Sequence, residues 1–310
     1  MATRKEEARF GRLPFDLFAL EKWDTEADPT PEGCKAQWEQ LAWDYQRLTL
    51  IERWPYYKRP EPEDTPAASE DEAMQILGNN QSPAERNMSL DFCSAWKPVW
   101  LRICSDPTLA ETYEEMKKSA WVPGGGIPGD CILDDEMLYA FEDGTPDSWR
   151  KVLVRMPGLT DFQGARDYSG DDSDIQYSSG QNDEVILAEI EQEEDEDTRF
   201  LSKLSVQVQT TVYLLDREAI TTGLIKVLWV NEHGQTLWEN RVQPSTLTGL
   251  SMAQEDSCGL AEIVGYRAVR GALISQRLKF KVKHVHLAKC AVKYMLMTMF
   301  RSHRSDTDDE

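Results

Sequence analysis

The sequence of 310 residues has no run of about 18 apolar residues, which excludes a spanning helix. Its six cysteines, at 34, 93, 104, 131, 258 and 290, form no CxxC pair, and the opening Met-Ala-Thr-Arg-Lys-Glu-Glu carries no apolar signal region. A reduced intracellular protein is expected, nuclear or cytoplasmic and not secreted, with the sequons at Asn80 and Asn87 unused. Catalytic signatures are missing as well. No GxSxG occurs, no Gly-Lys-Ser/Thr follows the glycine-rich stretch Pro123 to Asp130, and none of the four histidines has a Ser or Cys partner suggested by spacing. The expectation is therefore a protein that is not an enzyme. No internal repeat is evident at a period of 20 to 50 residues.

Charge is abundant but unevenly distributed. The chain carries a net charge of −21, yet residues 264–304 contain ten Lys and Arg and no Asp or Glu, leaving −31 on the rest. Such separation points the cationic part toward a polyanion, either nucleic acid or the chain's own acidic segment. The opposite extreme is residues 158–199, where Asp171-Asp172-Ser173-Asp174 and Glu191 to Asp197 accompany few apolar residues, with no Lys or Arg between Tyr168 and Thr198. Too little apolar surface is available there to offset ordering, so this stretch is expected to be a disordered acidic linker.

Periodicity supplies the elements. Trp38, Leu41, Ala42, Tyr45 and Leu48 predict an amphipathic helix from Lys35 to about Ile51, ended by Trp54-Pro55-Tyr56-Tyr57. A second helix is expected over Met88 to Ile103, with Pro98 as a kink or boundary, and a third from Thr108 to Ala120. Ser148 to Met156 reads as a strand through Trp149, Val152 and Val154. The clearest signal is the alternation of Leu204, Val206, Val208, Thr210, Val212 and Leu214, followed by the apolar run Leu224 to Val230, turn residues Asn231 to Gln235, and a returning strand Leu237 to Val242. That is an antiparallel meander. Beyond it, a helix over Gly259 to Ser275 and a strand alternating Leu278, Phe280 and Val282 with Lys279, Lys281 and Lys283 are expected. The resulting fold class is α+β: a Trp-rich, largely helical region over 1–157, the acidic linker over 158–199, an antiparallel sheet with one packed helix over 200–301, and a polar tail over 302–310.

Three stretches carry candidate chemistry. Arg267, Arg270, Arg277, Lys279, Lys281, Lys283, Lys289 and Lys293 present a cationic surface suited to phosphates, the alternative being a solvated face or a counter-charge for the linker. His284, His286 and Cys290 have a spacing compatible with zinc, but only three ligands are in view, and packed histidines are the other reading. Val185, Ile186, Leu187 and Ile190, flanked by acids, form a short aliphatic core able to add as a strand to a partner's sheet, or a mere spacer; the stretch resembles a SUMO-interacting motif. Ser169, Ser173, Ser305 and Thr307 stand before acids, as acidophilic kinases favour.

Two larger resemblances exist. Leu13-Pro14-Phe15-Asp16-Leu17 with Cys34, Trp38, Leu41 and Asp44 is similar to the opening and closing positions of an F-box, although Glu26 to Glu32 holds acids and two prolines where that module has an apolar helix. It implies docking of a ubiquitin-ligase adaptor through Leu13 and Pro14. The acidic segment, the basic C-terminal half and the HxHxxxC element together resemble foamy-virus transactivators, with the segments in a different order. Neither likeness assigns the chain to a family. The function expected is a regulatory protein bridging a protein partner to nucleic acid, with a protein-protein adaptor as the alternative.

Overall fold

The computed structural model describes residues 11, 13–57, 76–94, 99–119, 132–161, 181–194, 196–244 and 247. Helices α1 (Pro14–Lys22), α2 (Pro31–Arg47), α3 (Leu50–Tyr57) and α4 (Pro83–Ser94) precede strand β1 (Val99–Arg102). Helix α5 (Ala110–Ser119) leads to β2 (Ile132–Leu133), and the short helices α6 (Glu136–Tyr139) and α7 (Val152–Arg155) follow. The 3-10 turns Ser148–Lys151 and Pro157–Thr160 flank α7. A helical hairpin of α8 (Gln181–Ile190) and α9 (Glu196–Gln207) then leads to β3 (Thr210–Leu215), α10 (Arg217–Thr222), β4 (Ile225–Val230) and β5 (Thr236–Val242).

The five strands make one sheet in the order β2-β1-β3-β4-β5. The meander β3-β4-β5 is antiparallel, as its alternation predicts, with Thr211 opposite Trp229 and Trp229 opposite Trp238. β1 and β2 join it in parallel, Val99 opposite Val212 and Trp100 opposite Ile132. The sheet is therefore mixed, and its central pair β1-β3 unites residues on either side of the acidic stretch.

Side chains alternate between two cores, because successive residues of a strand point to opposite faces. Trp100, Tyr213, Leu215, Ile225, Val227 and Trp229 meet Tyr113 and Met116 of α5, Leu204 of α9, Ala219 and Ile220 of α10, and Leu247. The opposite face, Val99, Leu101, Val212, Leu214, Leu228 and Val230, packs against Trp149, Val152, Leu153, Met156 and Leu159. A third cluster lies further out on that side. It joins Phe15, Phe18 and Ala19 of α1 to Trp38, Leu41, Ala42 and Tyr45 of α2, with Val154 partly buried against it.

Several expected elements are corrected. The Trp149-to-Met156 stretch is a 3-10 turn and a helix rather than a strand, because Trp149, Val152, Leu153 and Met156 are the buried positions and their spacing of three, one and three is helical. Leu204 to Val208 is not the start of the strand: α9 runs to Gln207, placing Leu204 and Val208 four residues apart against one core, and β3 begins at Thr210. The helix expected over Met88 to Ile103 stops at Ser94, and its last residues are strand β1. Trp54-Pro55-Tyr56-Tyr57 does not close the preceding helix; it completes a new one, α3, opened by the reciprocal bonds of Thr49 and Glu52. The stretch 158–199 is not disordered at its ends. Gly158, Leu159, Thr160 and Asp161 are buried and 181–190 and 196–207 are helical, while 162–180 lie outside the described residues.

Candidate functional site

A buried polar cluster forms where α2 and α3 meet the turn Pro157–Thr160 and the β4-β5 turn. Arg53 on α3 is fully buried. Its Nη1 donates to the Thr160 carbonyl at 3.2 Å, to Thr160 Oγ1 at 3.0 Å and to Asp161 Oδ1 at 3.3 Å, and its Nη2 donates to the Glu232 carbonyl at 2.6 Å. The guanidinium lies over the Tyr45 ring, 4.6 Å from the centroid, adding a cation-π contact. Asp161 in turn accepts from Tyr45 Oη at 2.8 Å and Tyr57 Oη at 3.0 Å. Gln46 completes the frame, its Nε2 donating to the Pro157 carbonyl at 2.6 Å while Oε1 accepts from Thr160 Oγ1 at 2.9 Å.

Burial dominates the electrostatics of this cluster. Loss of hydration pushes the Asp161 carboxyl up to about 6, against the opposing pull of Arg53 and the two tyrosine hydroxyls. Tyr45 is driven well above its ordinary range by burial and then by the Asp161 charge. The Arg53 Nε has no hydrogen-bond partner among the described residues. A charged group held on one side and orphaned on the other is a costly arrangement for which packing alone gives no reason.

Two further ion pairs lock α4 in place. Glu85 is buried and accepts from Arg155 Nε at 2.5 Å and Nη2 at 2.8 Å, from Tyr139 Oη at 2.6 Å and from the Ser82 amide at 2.6 Å. Although burial raises its pKa, these donors outweigh it and hold the carboxyl below its ordinary value. Arg86 grips Asp16 through both carboxylate oxygens, at 2.9 and 2.6 Å, and Asp16 also accepts from the amides of Gly11 and Leu13 ahead of α1. Together these pairs tie α1, α4 and α7 into one unit. Their chemistry is that of registration, fixing how elements seat on one another.

The residues singled out from the sequence are placed differently. Leu13 and Pro14, expected to meet a ligase adaptor, are buried at the start of α1. Val185, Ile186, Leu187 and Ile190 lie on α8, so the extended form that strand addition requires is replaced by a helix; Ile186, Leu187 and Ile190 are half-buried. Arg267, Arg270, Arg277, Lys279, Lys281, Lys283, Lys289 and Lys293 lie outside the described residues, as do His284, His286, Cys290 and the four Ser and Thr sites. Among the described residues no group of three or more His, Cys, Asp or Glu has the geometry of a metal site, and no helix is long and apolar enough to cross a membrane. The Arg53–Asp161 cluster escaped sequence reading because its charges are 108 residues apart. The available hint was the spacing of Arg53, three residues after Leu50 and four before Tyr57, which puts it on the helix face of those two apolar residues.

Fold and site together define an α+β scaffold whose buried charges bind its own elements. Compared with protein-family models, with curated proteins and with solved structures, the chain matches none.

Proposed function

We propose that this chain is a non-enzymatic regulatory protein of the nucleus that brings a protein partner to nucleic acid. The observation that carries the reading is the separation of charge: ten cations without an acid in 264–304, in a chain whose remainder sums to −31. Arg267 to Lys293 supply phosphate contacts in this reading, and the amphipathic α8, with Ile186, Leu187 and Ile190, supplies the partner face. The buried ion pairs support a scaffold role, since Glu85, Arg86 and Arg53 engage other elements of the chain rather than an open cleft.

The test is retention of labelled DNA and RNA by the full-length chain across a salt series. It is run beside a Glu189→Gln/Glu191→Gln/Glu194→Gln variant that relieves self-repulsion of a polyanion. Binding is expected to weaken steeply with salt, by about 0.9 in log-log slope for each phosphate contacted on duplex DNA. Replacing Lys279, Lys281 and Lys283 by Glu should then flatten the slope by roughly 3. If neither chain retains nucleic acid at low salt, the reading is wrong.

A further inference from the structure

The α8-α9 hairpin is the most acidic described element and also one of the least enclosed. Residues 181–197 hold nine acids and no base, and Arg199 and Lys203 of α9 bring 181–207 only to −7. The two helices pack on each other, Lys203 pairs with Glu191, and Arg199 Nη1 donates to the Glu193 carbonyl at 3.0 Å. Leu204 anchors α9 to the sheet, with 3% of its surface exposed. Phe200 of α9 is 44% exposed and Ile186, Leu187 and Ile190 of α8 are half-buried, leaving a strip of accessible apolar surface on the hairpin that acids flank in sequence. The strip is incompletely covered.

We propose that in the free chain this strip is the docking surface for the chain's own cationic segment, residues 264–304. Charge is the first argument, because −7 on the hairpin faces +10 on that segment. Composition is the second: Leu278, Phe280 and Val282 offer an apolar face to Ile186, Ile190 and Phe200, while the flanking Arg277, Lys289 and Lys293, and Lys279 and Lys283 at the edges through their long stems, supply cations for the acids around them. The position of the chain is the third. Leu247, the last described residue, is buried in the cluster that Leu204 of α9 also enters, so the cationic segment follows from the sheet face on which the hairpin is anchored.

Reach is not limiting. The 20 residues from Leu247 to Arg267 span about 25 Å as a flexible coil and at most about 70 Å extended. The 10 residues of α8 are only about 15 Å long. A tether of this length gives an effective concentration on the order of millimolar, enough to fill a surface of weak intrinsic affinity. The proposal rests on the nucleic-acid reading only for its consequence, that a polyanion and the hairpin compete for the same cations.

Zero-length carbodiimide coupling of the full-length chain tests it, since the reagent joins a lysine amine to a carboxylate only when the two are in contact. Mass spectrometry of the monomer band is expected to find Lys279 to Lys293 joined to acids between Glu189 and Glu196. The same links should be lost at about 1 M salt, where the screening length falls to about 3 Å from about 10 Å at 0.1 M. An Ile186→Ser/Ile190→Ser chain, which removes the apolar contact and leaves the charge unchanged, should lose them too, and Phe200→Ser provides the same probe from the α9 side without altering α8. Lysines that join Glu111, Glu114 or Glu136 instead, links confined to dimers, or no links at all would overturn the proposal. Added duplex DNA separates the two ideas. Links that disappear on its addition support both; links that persist leave the docking intact and remove the nucleic-acid reading.

Discussion

Asp161 shows how one residue sets a pH dependence. Its carboxyl is raised by burial to about 6 in the folded chain, from an unfolded value near the ordinary one, so the native state holds this proton more tightly than the unfolded state does. The stability it contributes is full below about pH 4 and lost as pH rises through about 6. Urea unfolding at pH 4.5, 6 and 7.5 should show that fall, and Asp161→Asn should flatten it. Asparagine keeps an oxygen for the Tyr45 and Tyr57 hydroxyls and imitates the neutral acid. Asp161→Ala removes the acceptor for both hydroxyls and the partner of buried Arg53, and should cost about 3 to 5 kcal/mol at pH 7. If Asn costs as much as Ala, the oxygen at this position is not what matters.

At the scale of the element, the β4-β5 turn is set by Gly234. Its φ of 67° lies in the left-handed region, and a Cβ there would sit 2.3 Å from Leu153 Cδ1. Gly234→Ala should therefore destabilise by more than about 1 kcal/mol, through strain and through displacement of the α7 side chain that the turn packs on. Thermal melts of the two chains check it, and an unchanged midpoint would show that Leu153 gives way freely. Gly223, with φ 73° at the end of α10 and nothing within 4 Å of a Cβ, is the control in which conformation alone is penalised.

The elements also show what sequence could reveal. Trp38, Leu41, Ala42 and Tyr45 declared α2 because a helix buries its own period, and the β-branched and apolar runs of β3 and β4 with the turn before β5 declared the meander, although β3 is buried on both faces rather than one. Trp149 to Met156 misled because three apolar residues there fit two periods, and which one is buried depends on a sheet face built from residues far away. β1 was hidden for the same reason. Four residues following a helix gain strand character by pairing with β2 and β3, and no local signal announces a partner beyond residue 200. The buried pairs of Glu85 and Arg86 were equally silent, since they sit in a helix whose sequence gives no sign that their charges turn inward, and the spacing of Arg53 named no partner for it.

For the molecule as a whole, the mixed sheet makes the two halves dependent on each other. β3 has β1 on one side and β4 on the other, so residues 200–310 in isolation lack the parallel half of the sheet and the layer of Trp149, Leu153 and Met156 that covers one face. That fragment is expected not to fold cooperatively, whereas the full chain should lose far-UV ellipticity and tryptophan emission in one coincident urea transition. A fragment with a sharp transition of its own would mean the sheet is stable as three strands. Leu204→Ala offers a finer probe. It opens the core beneath α9 and should cost about 2 to 5 kcal/mol, which a solvent-facing strand position would not.

The pairing of Val99 with Val212 also has a bearing on biosynthesis. These partners are 113 residues apart, so at about 5 to 20 residues per second the ribosome releases β1 roughly 6 to 23 s before β3 exists to receive it. During that interval Val99, Trp100 and Leu101 have only β2 to pair with, and the edge that β3 will cover is an apolar strand edge prone to aggregation until β3 arrives.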